Sequence, residues 1–181
     1  MCKLRRVSII ILVAAIIVSL HPGNPDARWM IYDTGYVSIW YKSEEALETL
    51  FKRVHITSLD KAVLSLFVES KYSKERLRAG IDGLFDRVGE VLEVSTEGLK
   101  VKMKVYETKR SMNAEVCPLR EKKGIAFYDP CRKIIYVSLD WADASVLAHE
   151  FTHALMDHYF DKPVPVLVDE LVAKYIEENL Y

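Results

Sequence analysis

Two histidines four residues apart, with a glutamate after the first, are the residues here whose types and spacing point most directly to chemistry: His149-Glu150-Phe151-Thr152-His153. On a helix, positions i and i+4 lie one turn apart on one face, so both imidazoles reach the same ion and Glu150 stands beside them. Two imidazoles do not complete a metal site. Glu170 follows His153 by 17 residues, after a Pro-containing turn that folds the chain back, and offers a third ligand. Two His and one Glu leave a fourth position open on tetrahedral Zn²⁺, where water is acidified towards a pKa of about 7. Glu150, not a ligand in this scheme, takes the proton from that water and passes it to a leaving amine. Asp169 competes with Glu170 as third ligand, with a shorter side chain and a different angular position.

The elements that must position these residues are legible upstream and downstream. Leu147, Phe151 and Leu155 form an apolar stripe on a helix capped by Asp140 or Asp143 and lasting to about Phe160. Asp161-Lys162-Pro163-Val164-Pro165 breaks it, and a final helix carrying Glu170 runs from Val166 to the end. His158 reads as a helix-surface histidine, and Glu177 and Glu178 as surface carboxylates. Near the start, Trp29 to Tyr32 and Tyr36 to Tyr41 read as a hairpin joined at Asp33-Thr34-Gly35, and Ser43 caps a helix to about Val54. A helix is expected at 58–70. Ser73 caps another, amphipathic through Leu77, Ile81, Leu84, Phe85 and Val88, to about Val94. Leu99, Val101, Met103 and Val105 alternate with Lys100, Lys102 and Lys104, a strand whose lysines form its solvated face. After a polar loop, Gly124 to Tyr128 and Lys133 to Ser138 read as strands joined by Asp129-Pro130-Cys131-Arg132. The expected class is α+β: a mixed, mostly antiparallel sheet with a backing helix, an active-site helix and a short C-terminal glutamate helix, the helices segregated on one side.

These segments resemble a family. HEFTHALMDHY, from His149 to Tyr159, is similar to the active-site helix of the gluzincin metallopeptidases, and PVPVLVDELVAKY, from Pro163 to Tyr175, to their Pro-rich turn and glutamate helix. GIAFYDPCRKIIYVSL, just upstream, resembles more loosely the compact peptidase-MA-like and minigluzincin domains. The resemblance implies a zincin-like fold, one Zn²⁺ per chain held by His149, His153 and Glu170, Glu150 as general base, and a peptide or protein substrate. Two positions depart from the family pattern: Leu171 stands where Gly often follows the ligand Glu, and Lys174 where an acidic residue stands four positions on. The carboxylate that orients a ligand imidazole is then expected from Asp157 or Asp169. Tyr128, Tyr136, Tyr159 and Tyr175 are the tyrosines available to stabilise an oxyanion. The same residues also suit an alternative, a zinc-binding but inactive or latent exported domain that binds a protein partner.

Composition bounds the setting. The chain has 181 residues, 50% hydrophobic and 28% charged, enough for one ordinary core. A formal net charge of −1, without a long single-sign run, argues against a nucleic-acid partner. Lys3, Arg5 and Arg6 precede an apolar stretch at residues 7–20, broken only by Ser8 and Ser19. That is the pattern of a signal peptide or an N-terminal membrane anchor in residues 1–27, with export across the cytoplasmic membrane and a single compact domain in 28–181. The domain keeps 22 basic against 25 acidic residues. Cys117 and Cys131 lie in the part expected to be exported, where an oxidising space would allow them to form one staple or leave them as two reduced cysteines that never meet.

Overall fold

The computed structural model describes residues 28–58, 72–116 and 124–180. Residues 1–27, where an export or anchor segment is expected, the helix expected at 58–70 apart from Ser58, and Cys117 lie outside the described residues. Cys131 is exposed on the turn between two strands. Among the described residues no helix is long and apolar enough to cross a membrane.

In chain order the elements are β1 (Met30–Asp33), β2 (Val37–Tyr41), α1 (Glu44–Ser58), α2 (Lys74–Leu92), β3 (Val101–Tyr106), α3 (Lys109–Val116), β4 (Ala126–Asp129), β5 (Ile134–Ser138), α4 (Ala144–Tyr159) and α5 (Val166–Asn179). The class is α+β as expected. The five strands form one mixed sheet in the order β1-β2-β3-β5-β4. Its balance differs from the expected antiparallel majority: the β1–β2 and β4–β5 hairpins are antiparallel, but β2–β3 and β3–β5 are parallel. The cause lies in the connections. The chain leaves β2 through α1 and α2 before laying β3 beside it, the long crossover that a parallel pair needs and a tight turn cannot supply.

Period-2 alternation sorts the strands into two faces. Val37, Ile39 and Tyr41 of β2, Val101, Met103 and Val105 of β3, Ile135 and Val137 of β5, and Tyr128 of β4 point into the main core. There they meet Leu47, Leu50 and Val54 of α1, Leu77, Ile81, Leu84, Phe85 and Val88 of α2, and Leu147, Phe151 and Leu155 of α4. Phe85 is fully buried, with its ring centroid 5.0 Å from Tyr36 and 5.1 Å from Phe151, and so ties the first hairpin to α4. The opposite face carries a smaller cluster of Tyr106, Met112, Val116 and Tyr136, with Trp29, Phe127 and Ile134 against it.

That second cluster corrects two expectations. The polar loop after β3 contains a short helix, α3, so the helices are not all on one side of the sheet. Met112 and Val116 alone anchor it, one turn apart, too little apolar periodicity to stand out in the sequence. The lysines are also not uniformly solvated. Lys102 is exposed, but Lys104 lies over the Trp29 ring at 4.9 Å and pairs with Glu115 of α3 at 2.9 Å.

Capping follows the sequence. Ser43 Oγ accepts from the Ala46 N–H at 3.1 Å and Ser73 Oγ from the Arg76 N–H at 3.2 Å, each meeting one of a helix's unpaired first-turn donors. The first hairpin turn is held from α2, where Asp82 accepts the N–H groups of Gly35 and Tyr36 at 2.8 and 3.1 Å. A Cβ on Gly35 would sit 2.8 Å from that carboxylate and push it off the amides it holds.

Candidate metal centre

Asp143, one of the two expected caps, starts α4 by accepting the Val146 N–H at 2.9 Å. Leu147, Phe151 and Leu155 are buried against the core together with Ala148, Thr152 and Ala154. With that face committed, His149 and His153 turn to the other side, their ring centroids 4.8 Å apart. Phe160 ends the helix in an extended conformation, and the segment through Pro165 reverses the chain into α5. α5 returns alongside α4, with Ala173 and Ile176 buried between them and the core. Leu171 faces outward at 61% exposure, and Leu167, Val168 and Tyr175 are exposed as well.

The two helices bring the expected residues together. Glu170 Oε2 lies 3.6 Å from His149 Nε2 and 4.0 Å from His153 Nε2. One ligand atom from each of His149, His153 and Glu170 can be chosen so that all lie within 4.8 Å of one another. Asp169 lies elsewhere than the alternative ligand position: its Oδ2 is 2.8 Å from His153 Nδ1, on the far side of the ring from Glu170. Both Nδ1 atoms thus face one carboxylate each, and both Nε2 atoms face Glu170. Glu177, expected on the helix surface, turns inward to place Oε2 3.2 Å from His149 Nδ1. The sequence held the signal for this, since positions 170, 173 and 177 share one face of a helix with buried Ala173 between them. Asp157, the other expected orienting carboxylate, accepts from the Tyr128 hydroxyl at 2.8 Å. His158 is exposed, as expected.

Glu150 is buried beside the histidines and lines the same cleft of about 400 Å³. Its far wall is β4, an edge strand, and its floor and near wall include Met156, Phe160, Val164 and Val166. The Ser138 N–H donates to the Ile125 carbonyl at 3.0 Å, which makes Ile125–Ser138 a hydrogen-bonded pair of the β4–β5 ladder. Pairs alternate in an antiparallel ladder, so Ala126 and Tyr128 point their main-chain N–H and C=O groups away from β5, along an edge that no described strand covers. Of the four tyrosines considered for an oxyanion, Tyr128 alone lines this cleft. Burial raises its hydroxyl above the ordinary phenol range, reinforced by the bond to Asp157. Tyr136 belongs to the other face of the sheet, the Tyr159 hydroxyl donates to the Ser95 carbonyl, and Tyr175 is exposed on the outer side of α5.

These residues fit a divalent cation. Ligands about 2.0–2.1 Å from a tetrahedral ion stand roughly 3.3 Å apart; the His149–Glu170 separation of 3.6 Å is close to that, and the His153–Glu170 separation of 4.0 Å closes by about 0.7 Å on an ion. Among the described residues carboxylates dominate the cleft: Glu150, Asp157, Asp169 and Glu170 line it, against one cation, Lys162. Asp169 Oδ1 is buried with no hydrogen-bond partner among the described residues, a negative centre that a nearby cation would compensate. Burial lowers the pKa of His153 below that of a free imidazole, the Asp169 and Glu170 charges opposing it only in part. That favours the neutral ring a metal requires.

No family model, curated protein or solved structure matches the chain. Its own geometry is therefore the basis for classifying the site. The pair in His149-Glu150-x-x-His153 and the downstream Glu170 converge in space as they are patterned in sequence, a triad capable of holding a divalent metal and matching the gluzincin-like signature.

Proposed function

We propose that this chain is a zinc-dependent metallopeptidase that hydrolyses peptide bonds. His149 Nε2, His153 Nε2 and Glu170 would hold one Zn²⁺. When bound, the ion supplies Lewis acidity to a scissile carbonyl and to the attacking water. Glu150 takes the proton from the water and delivers it to the leaving amine. The outward main-chain groups of Ala126 and Tyr128 accept an extended peptide as an added strand, which lays its backbone along the cleft past Glu150. Residues 1–27 export or anchor the domain, on the strength of three basic residues ahead of the apolar stretch at 7–20.

The observation that carries this reading is the division of the two imidazoles: each Nδ1 is paired with a carboxylate while both Nε2 atoms face Glu170 beside buried Glu150. The test joins metal analysis to a peptide-library digest of the purified chain. One zinc per chain is expected, lost on His149→Ala or His153→Ala. Glu150→Gln should retain the metal and lose hydrolysis; retained hydrolysis by this variant would overturn the mechanism.

A further inference from the structure

Among the described residues the carboxylates paired with the two imidazoles come from α5, at positions 169, 170 and 177. The position one turn after Glu170 is Lys174, and it is engaged elsewhere: its Nζ pairs with Glu178 at 3.1 Å on the outer side, both side chains 61% exposed. Glu177, one turn further on, has a side chain only 32% exposed, with Oε2 3.2 Å from His149 Nδ1.

We infer that Glu177 is a positioning residue for His149 as a metal ligand, which rests on the zinc reading above. A neutral imidazole carries one N–H, and the partner of one nitrogen decides what the other does. An ionised carboxylate only accepts. Glu177 therefore holds the proton on Nδ1 and leaves the Nε2 lone pair bare, aimed at Glu170 from 3.6 Å. Asp169 does the same for His153 from the start of the helix. The two ends of α5 thus set the two rings separately, and the ring furthest from the α5 N-terminus depends on a residue two turns beyond the ligand glutamate.

The experiment measures zinc affinity by competition with a chromophoric chelator, and the His149 tautomer from ¹⁵N imidazole shifts of the metal-free full chain. Glu177→Ala is expected to weaken zinc binding about 10- to 100-fold and to remove the Nδ1–H preference. Glu177→Gln keeps size and an acceptor oxygen without the charge; about tenfold is expected, and it serves if the alanine variant does not fold. Lys174→Ala, on the outer face, should leave both readouts unchanged. Affinities of the Glu177 variants within twofold of the unsubstituted chain overturn the inference. So does a loss of affinity in Glu177→Ala with the His149 tautomer unchanged, because the effect would then be general to the helix. An unsubstituted chain that binds no zinc defeats the metal reading instead, and the metal-free tautomer still decides the role of Glu177.

Discussion

Replacing Glu170 by Gln and, separately, Asp169 by Asn tests the assignment of the third ligand. Glu170 Oε2 faces both Nε2 atoms, at 3.6 and 4.0 Å, whereas Asp169 reaches His153 only through Nδ1 at 2.8 Å. A tightly held zinc contributes about 10–16 kcal/mol over four ligands, so removing one direct ligand costs roughly 2.5–4 kcal/mol, a factor of about 70 to 900 in affinity. Asp169→Asn keeps an amide oxygen able to accept the Nδ1–H, which places it near the lower end of the roughly 10- to 100-fold range for outer partners. Folding does not confuse the comparison at Glu170, whose side chain is 55% exposed; its substitution should change metal-free stability by less than about 0.5 kcal/mol. The assay is chelator competition on both variants, with metal-free urea melts alongside. A larger affinity loss for Asp169→Asn than for Glu170→Gln refutes the assignment and exchanges the two roles.

Removing the metal should lower the melting temperature: at zinc a thousandfold above Kd the linkage is about 4 kcal/mol, or roughly 8–16 °C for a domain of this size. Scanning calorimetry with and without a chelator measures it. Phe85→Ala empties a fully buried site between Tyr36 and Phe151 and should cost about 3–5 kcal/mol by urea denaturation, with a loss under 1 kcal/mol counting against the packing described. Tyr128→Phe removes the hydroxyl that donates to Asp157 at 2.8 Å. It should cost about 1.5–3 kcal/mol, the range for a bond to a charged group, and raise KM for peptides by loosening β4 while zinc affinity stays put.

Much of the fold was legible because its signals are local. The caps Ser43, Ser73 and Asp143 each bond the amide three residues on, an interaction contained within four residues. The stripes Leu77-Ile81-Leu84-Phe85-Val88 and Leu147-Phe151-Leu155 are buried as their periodicity implies. Helix α3 escaped, since two anchoring residues one turn apart form no pattern, and its stability comes from a cluster with Tyr106 and Tyr136 on other elements. The sheet's balance escaped too. Strand direction depends on which strands become neighbours, and the alternation of one strand is the same beside a parallel or an antiparallel partner.

At the candidate site the sequence by itself determined the histidine pair, because a spacing of four on a helix places His149 and His153 on one face whatever surrounds them. It also supplied Glu150 and put Glu170 ahead of its neighbour Asp169 as the third candidate ligand. Only the tertiary structure gave that order a geometry. The angle at which α5 returns along α4 directs Glu170 to the Nε2 side of both rings and Asp169 to the Nδ1 side of one. The same docking turns Glu177 from a surface residue into a partner of His149, and sets β4, an edge that no described strand covers, along the cleft. The physical reason is that a helix's own geometry fixes which side chains share a face, whereas what that face meets is set by packing between segments far apart in the chain.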